Sequence, residues 1–214
     1  MLITIGDIVW GVVLTIWVAI VTLYISKVIS KMTTPYVARK VIHMLGGGVV
    51  AILAPYVFTS PLVPIVASYV LMMYLILHRA KKNYLNWFQD ENNRGEVYYA
   101  FSFGTLLLIM DILDGNYWET RNIFIPLLPI YYMSFGDGVT GIIRNYVYKR
   151  RVKGFWGSVG MAAISIPLGF YFFGIPGAIS GVVATLSEVL PFIDDNIAVP
   201  FFSFTFLYLA IKVF

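Results

Sequence analysis

The stretch Ile8-Val9-Trp10-Gly11-Val12-Val13-Leu14-Thr15-Ile16-Trp17-Val18-Ala19-Ile20-Val21-Thr22-Leu23-Tyr24-Ile25-Ser26-Lys27-Val28-Ile29 decides the fold class, because it stays apolar for the length of a bilayer and meets only one charge, Lys27. About 20 apolar residues in a helix cross ~30 Å of hydrocarbon. The run is too long and uniform for the core of a signal peptide, lacks a basic segment before it and is followed by no small-residue cleavage site, so it reads as a first spanning helix. The rest of the chain has the same character. Of 214 residues, 59% are hydrophobic and 12% charged, with a mean hydropathy of +0.81. That composition excludes an ordinary soluble domain. At ~20 residues per span the length allows about eight helices, which makes residues 1–214 a single membrane domain, an all-α polytopic bundle with no separate soluble unit. There is no cysteine, so disulfides, thiolate metal sites and a cysteine nucleophile are excluded.

Apolar runs fall at 8–29, 41–58, 62–78, 97–113, 122–144, 158–173, 175–190 and 197–213. The gaps between them alternate in charge. Basic gaps carry Lys27, Lys31, Arg39 and Lys40, then Arg79, Lys81, Lys82 and Arg94, then Arg144, Lys149, Arg150, Arg151 and Lys153; the intervening gaps are bare or acidic. Thirteen of the fifteen Lys and Arg thus share one side. The positive-inside rule makes that side cytoplasmic and puts both termini on the other. The net charge of +4 therefore reports orientation and implies no nucleic-acid partner. Phe58-Thr59-Ser60-Pro61 and Gly174-Ile175-Pro176-Gly177 join their flanking runs either as tight hairpins or as re-entrant pairs. Lys81-Lys82-Asn83-Tyr84-Leu85-Asn86-Trp87-Phe88 reads as an interfacial segment with a basic and an aromatic side.

Polar groups are costly at membrane depth, so their points of convergence carry the chemistry. In Arg39-Lys40-Val41-Ile42-His43-Met44-Leu45-Gly46-Gly47-Gly48, helical spacing stacks Arg39, His43 and Gly47 on one face, an arrangement suited to an anion; headgroup anchoring by Arg39 and Lys40 is the plainer alternative. Glu96 and Tyr99 point a carboxylate and a phenol the same way at the start of another helix. In Ser134-Phe135-Gly136-Asp137-Gly138-Val139-Thr140-Gly141-Ile142-Ile143-Arg144, the glycines beside Asp137 would let backbone amides approach phosphate oxygens, and Asp137, Gly141 and Arg144 share a face. An unpaired Asp137 would cost several kcal/mol near membrane depth unless it met a cation, a metal or water. Finally, Glu188, Asp194 and Asp195 lie within eight residues, with Asn196 as a neutral ligand and Pro191 breaking the helix. Glu96, Asp137, Glu188, Asp194 and Asp195 map to one face beside Arg and Lys, which favours a hard divalent cation bridging to phosphate.

These elements carry a resemblance. Arg39-Lys40-x-x-His43, Gly95-Glu96-x-Tyr98, Gly136-Asp137-Gly138, the segment from Lys153 to Ser158, and Glu188 followed by Asp194-Asp195-Asn196-x-x-x-Pro200 resemble, in order and spacing, the polyprenol kinase family of dolichol kinase and phytol kinase type, relatives of the CTP-dependent cytidylyltransferases. The resemblance spans residues 39 to 200. It implies transfer of the γ-phosphoryl group of CTP, or a related nucleoside triphosphate, to the terminal hydroxyl of a long isoprenoid alcohol at the cytoplasmic membrane face, with Mg2+ or another divalent cation. On that basis Asp137 is the expected proton acceptor, with Glu96 second. Arg39, Lys40, His43, Gly136, Gly138, Arg144, Lys153 and Ser158 are expected on the nucleotide and its phosphates, and Asp137, Glu188, Asp194, Asp195 and Asn196 on the metal. The chain departs from the family pattern in having Arg144-Asn145 where a Gly-Arg pair is usual and Trp156 at a usual glutamate position. The first helices suggest a minimal catalytic core.

Two other readings compete. A cytidylyltransferase making a CDP-lipid would use the same nucleotide and release pyrophosphate instead of CDP. A transporter would use intramembrane carboxylates, but near the midplane and in broken helices, whereas these charges gather at one face.

Overall fold

A computed structural model of the protein describes residues 3–81, 84–91, 93–149 and 152–213; among them are helices and turns but no strand, only an isolated bridge between Asp90 and Asn93. Lys82, Asn83, Arg150 and Arg151, counted above among the basic and interfacial positions, lie outside the described residues. Helix α1 covers Ile5–Met32, α2 Pro35–Val57, α3 Leu62–Ala80 and α4 Gly95–Leu113. Helix α5 runs over 124–148, α6 over Phe155–Val189 and α7 over Asp195–Val213. Five of these, α1 to α4 and α6, are long and apolar enough to cross a membrane. The most hydrophobic stretch of α1 is only 11% buried, and the helix leaves outside, among others, Ile5, Ile8, Val9, Val12, Val13 and Ile16. An apolar helix with an apolar outside has lipid as its natural solvent.

The helix ends follow local chemistry. Thr4 caps α1 by accepting from the Asp7 amide at 3.2 Å, while the Thr4 amide donates to Asp7 Oδ2 at 2.8 Å, a reciprocal capping box. Asp7 also accepts from the Thr59 amide and hydroxyl at 2.7 and 2.6 Å, which staples the start of α1 to the 58–61 turn. Thr34 caps α2, with Pro35 at the first helical position. The run predicted over 41–58 begins six residues earlier than its apolar pattern, because Arg39 and Lys40 are buried inside the helix instead of ending it. Helix α6 reverses at Phe173 and Gly174, where Gly174 adopts φ +59° and ψ −135°, a region open essentially to glycine alone. Gly169 abuts Gly177, and Gly181 abuts Ser165, backbone to backbone. Those pairs are symmetric about residue 173, so the two arms, 155–172 and 175–189, pack antiparallel as a tight hairpin on small residues.

Helix α5 is the centre of the bundle. Ile125, Leu127, Leu128, Ile130, Tyr132 and Met133 on it are fully buried, with α2, α4, α6 and α7 packed around it. Two helices of the core contain a wide, π-type turn, Ile42–Gly48 in α2 and Tyr132–Gly136 in α5, and the two turns lie against each other. Such turns re-aim side chains and are common at functional sites. Here they bracket His43 and Asp137.

Candidate active site

Where α2 meets α5, Lys40 Nζ lies 2.5 Å from Asp137 Oδ2. Both side chains are buried. Gly141, one turn beyond Asp137, leaves the space that the Lys40 stem fills. His43, a turn along α2, brings Nδ1 to 3.8 Å from the same carboxylate oxygen, too far for a hydrogen bond. Its ring stacks on Tyr99 of α4 with centroids 4.3 Å apart. The Tyr99 hydroxyl is 2.6 Å from Ser134 Oγ and 3.3 Å from the His43 carbonyl, so α2, α4 and α5 are locked together around the imidazole.

A second chain of charge joins α5, α6 and α7. Arg144 donates to Glu188, which also accepts from Ser158 Oγ at 3.2 Å. The other Arg144 nitrogen stands 3.9 Å from Asp195 Oδ2, and Lys153 Nζ is 2.6 Å from Asp195 Oδ1. Lys153 also donates to the Leu190 carbonyl. Asp194 turns inward to cap α7, accepting from the Asn196 amide and side chain at 3.0 and 2.8 Å. Arg39 goes elsewhere: its Nη1 donates to Asn93 Oδ1 at 2.7 Å, an oxygen that also receives the Gly95 amide at 2.8 Å. Arg39 thereby fixes the entry to α4.

Gly136 and Gly138 take a different part from the one read off the sequence. Both sit inside the continuous helix α5; the space a side chain would need is filled by Met161 and Ser165 at Gly136, and by Met44 at Gly138. They let helices approach, and their amides are not offered to a phosphate. The five expected metal ligands are likewise dispersed. Glu188 and Asp195 face cations, Asp194 faces Asn196, and among the described residues no three His, Asp or Glu come together closely enough to hold a metal. Magnesium, however, is usually held by one or two carboxylates together with the phosphates of its substrate. Asp137 Oδ1 is a buried oxygen without a partner, and a single such donor fits an ion carried in on a nucleotide rather than one held by the protein alone; Asn196 Oδ1, also unpartnered, lies by Gly95 and Asp194.

Glu96 and Tyr99 do share a direction, and the structure supplies what they point into. A largely apolar groove runs between α1, α2, α3 and α4, walled by Leu14, Val18, Val50, Leu71, Leu75 and Phe103. Thr15, Ala67 and Leu71 line it and are still exposed, so it opens sideways between α1 and α3. At the basic end it terminates on His43, Glu96 and Tyr99, with Phe88 above them. Glu96 Oε1 is held by Arg79 at 2.6 Å and Gln89 at 3.2 Å. Its Oε2, and both nitrogens of His43, are buried with no partner. Buried polar atoms are nearly always satisfied, so three unsatisfied ones at the end of an apolar groove mark a place for a polar group that comes from outside.

Several of these residues were not legible in the sequence. Arg79 counts in the sequence only as one of the orienting cations, Gln89 carries no reading there, and Phe88 is part of an interfacial segment; only the fold returns 84–91 over the groove, with Trp87 Nε1 bonded to Thr22 O and Ser26 Oγ at 3.0 Å. Glu91, Asn93, Arg94, Tyr98 and Asp194 line a separate polar recess on the same basic face. Trp156 is 54% exposed, outside the cluster formed by its neighbours Gly157 and Ser158. Comparison with known families, curated proteins and solved structures finds no match to this chain.

Proposed function

We propose that this chain is a membrane phosphotransferase that moves the γ-phosphoryl group of a nucleoside triphosphate, CTP by its resemblance to polyprenol kinases, onto the terminal hydroxyl of an isoprenoid alcohol. It does so at the basic, cytoplasmic face of an eight-span bundle with both termini on the opposite side. One observation carries the reading: a groove open to lipid ends at unpartnered Glu96 Oε2 and His43, and Asp137 with its partner Lys40 lies behind His43, Arg144 following two turns further along α5. A lipid hydroxyl coming from one direction and an anion coming from the other meet at the imidazole.

The groove favours Glu96 over Asp137 as the proton acceptor in this reading. Asp137 is committed to Lys40 and does not line the groove, whereas Glu96 does, with its second oxygen free and its first held by Arg79 and Gln89. In the transfer, the alcohol oxygen bonds to the γ-phosphorus as its proton passes to Glu96 Oε2. The bond from the γ-phosphorus to the bridging oxygen breaks, and the nucleoside diphosphate leaves. Such reactions depend mainly on positioning and neutralisation of charge. Lys40, Arg144 and Lys153 supply the positive charge, each already held by a carboxylate that a phosphate oxygen can partly replace. His43, without a partner, is free to donate to the transferring group. A magnesium ion arriving on the nucleotide would find Asp137 Oδ1 and would neutralise the phosphates further.

The test uses purified protein in detergent with CTP, magnesium and isoprenoid alcohols, scoring phosphorylated lipid, CDP and pyrophosphate together. Phosphorylated alcohol with matching CDP supports the kinase; pyrophosphate with a phosphorylated lipid acceptor moves the reading to CDP-lipid synthesis. Glu96→Gln should lower kcat by about 10²–10⁴-fold, the usual worth of a general base, with nucleotide binding intact. Asp137→Asn should weaken nucleotide binding instead. The opposite assignment of these two effects returns the base to Asp137.

A further inference from the structure

We infer that the groove holds a single isoprenoid chain and reads only its first three to four isoprene units from the hydroxyl. The inference rests on the proposed lipid acceptor and specifies its class: alcohols of about C15 to C20 fill the site, and a longer chain gains nothing from it.

The groove has two built ends. At the polar end are Glu96 and His43, each more than nine-tenths buried and each with an unpartnered polar atom. At the far end α1 and α3 close on each other, since Gly11 brings its backbone against Val63. There Phe58 forms the floor, anchored by a 2.9 Å bond from Trp118 Nε1 to its carbonyl, and the Asp7–Thr59 bonds hold the start of α1 down on the same turn. Between the ends the wall runs from Gly11 to Thr22 on α1 and from Val63 to Leu75 on α3, about 17–18 Å at 1.5 Å per residue. An isoprene unit contributes four backbone bonds, about 5 Å on the reach of an extended chain. Three to four units therefore span the groove.

The shape also argues for one chain. Four helices converge on the groove, and among the described residues its exposed lining is the strip at Thr15, Ala67 and Leu71. A longer polyprenol cannot pass the Phe58 floor, so its further units turn back to that strip and into lipid, where they meet an environment as apolar as the groove itself. Lipid tails provide no transfer gain, so selectivity comes from close packing alone and ends where the walls end.

The experiment measures binding, so it does not depend on turnover. A C20 isoprenoid alcohol with a photoreactive group on its last unit is bound to the full chain in detergent, and the labelled residues are mapped. Label on α1 near Gly11 and Leu14 and on α3 near Val63 is expected. Competition should strengthen about tenfold from a C10 to a C20 alcohol and then level off, with a C55 alcohol no better than C20. Val50→Phe, about halfway along the groove, should remove the advantage of C20 over C10, and a retained unfolding midpoint in detergent shows that the variant is folded. Label outside α1 to α4 and the Phe58 floor, or affinity still rising tenfold from C20 to C55, overturns the inference. Correct labelling with no phosphorylated product in the activity assay would leave the groove standing and sink the phosphotransferase reading.

Discussion

Lys40 and Asp137 are each expensive alone in a membrane interior and tolerable as a pair, because the desolvation of both is offset by their contact at 2.5 Å. Removing one partner is therefore worse than removing both. Lys40→Met should cost about 3–5 kcal/mol, the usual penalty for stranding a buried charge. Lys40→Met with Asp137→Leu should regain most of that loss while remaining without nucleotide binding. Thermal unfolding of the purified variants in detergent reads the first effect and nucleotide binding the second; a double variant no more stable than the single one would mean the pair is not isolated. Trp156 poses the reverse case. Its position departs from the pattern of the family that the sequence resembles, yet its side chain is more than half exposed beside Phe155, where aromatic rings suit a membrane boundary. Trp156→Glu should accordingly change turnover by less than about twofold, since surface changes away from specific contacts carry little energy. A gain of tenfold or more would show that a carboxylate from this position reaches the site.

At the scale of elements, the apolar runs in the sequence mark the helices well and their ends poorly. The reason is visible in α2. Arg39 and Lys40 look like the end of a span because a cation normally stays near headgroups, and nothing local reveals that Asn93 and Asp137 will receive them. The acidic and basic residues of the site were readable as residue types at one face, since their spacing sets their face. Their pairing was not readable, because Lys40 with Asp137 and Arg144 with Glu188 are contacts between distant segments. The groove was wholly invisible in composition, as its walls are the same Leu, Val and Phe that fill the core. The place of the α6 reversal was legible, because Gly174 breaks the apolar run there, while the choice between a hairpin and a re-entrant pair was open in the sequence. Gly174→Ala should cost about 1–3 kcal/mol from the strained backbone alone. Gly169→Leu should cost more, because it also forces the arms apart at Gly177. Unfolding midpoints of the two variants give the comparison, and equal losses would argue that the arms are not packed through these glycines.

For the whole molecule, the cysteine-free sequence makes the orientation directly measurable. Single cysteines at Lys81 and at Phe192, which is 95% exposed, should react with an impermeant thiol reagent from one side of sealed vesicles, and cysteines at Ile3 and Asn116 from the other. Ile3 labelling from the same side as Phe192 would remove the even number of crossings on which the proposed topology stands. The buried cations of α2 carry a further consequence, one of timing. When α2 leaves the ribosome it brings Arg39, Lys40 and His43, but Asn93 follows 54 residues after Arg39 and Asp137 follows 97 residues after Lys40. Until then the two cations have on their own helix the ring of Tyr36, 5.6 Å from Arg39 and 5.5 Å from Lys40, but neither the amide nor the carboxylate that later receives them, at a cost of up to about 3 kcal/mol for each cation at full depth. Helix α2 thus settles only once α5 has been synthesised, and biogenesis of the bundle proceeds by capture of an early, reluctant segment by a late one rather than by insertion in order.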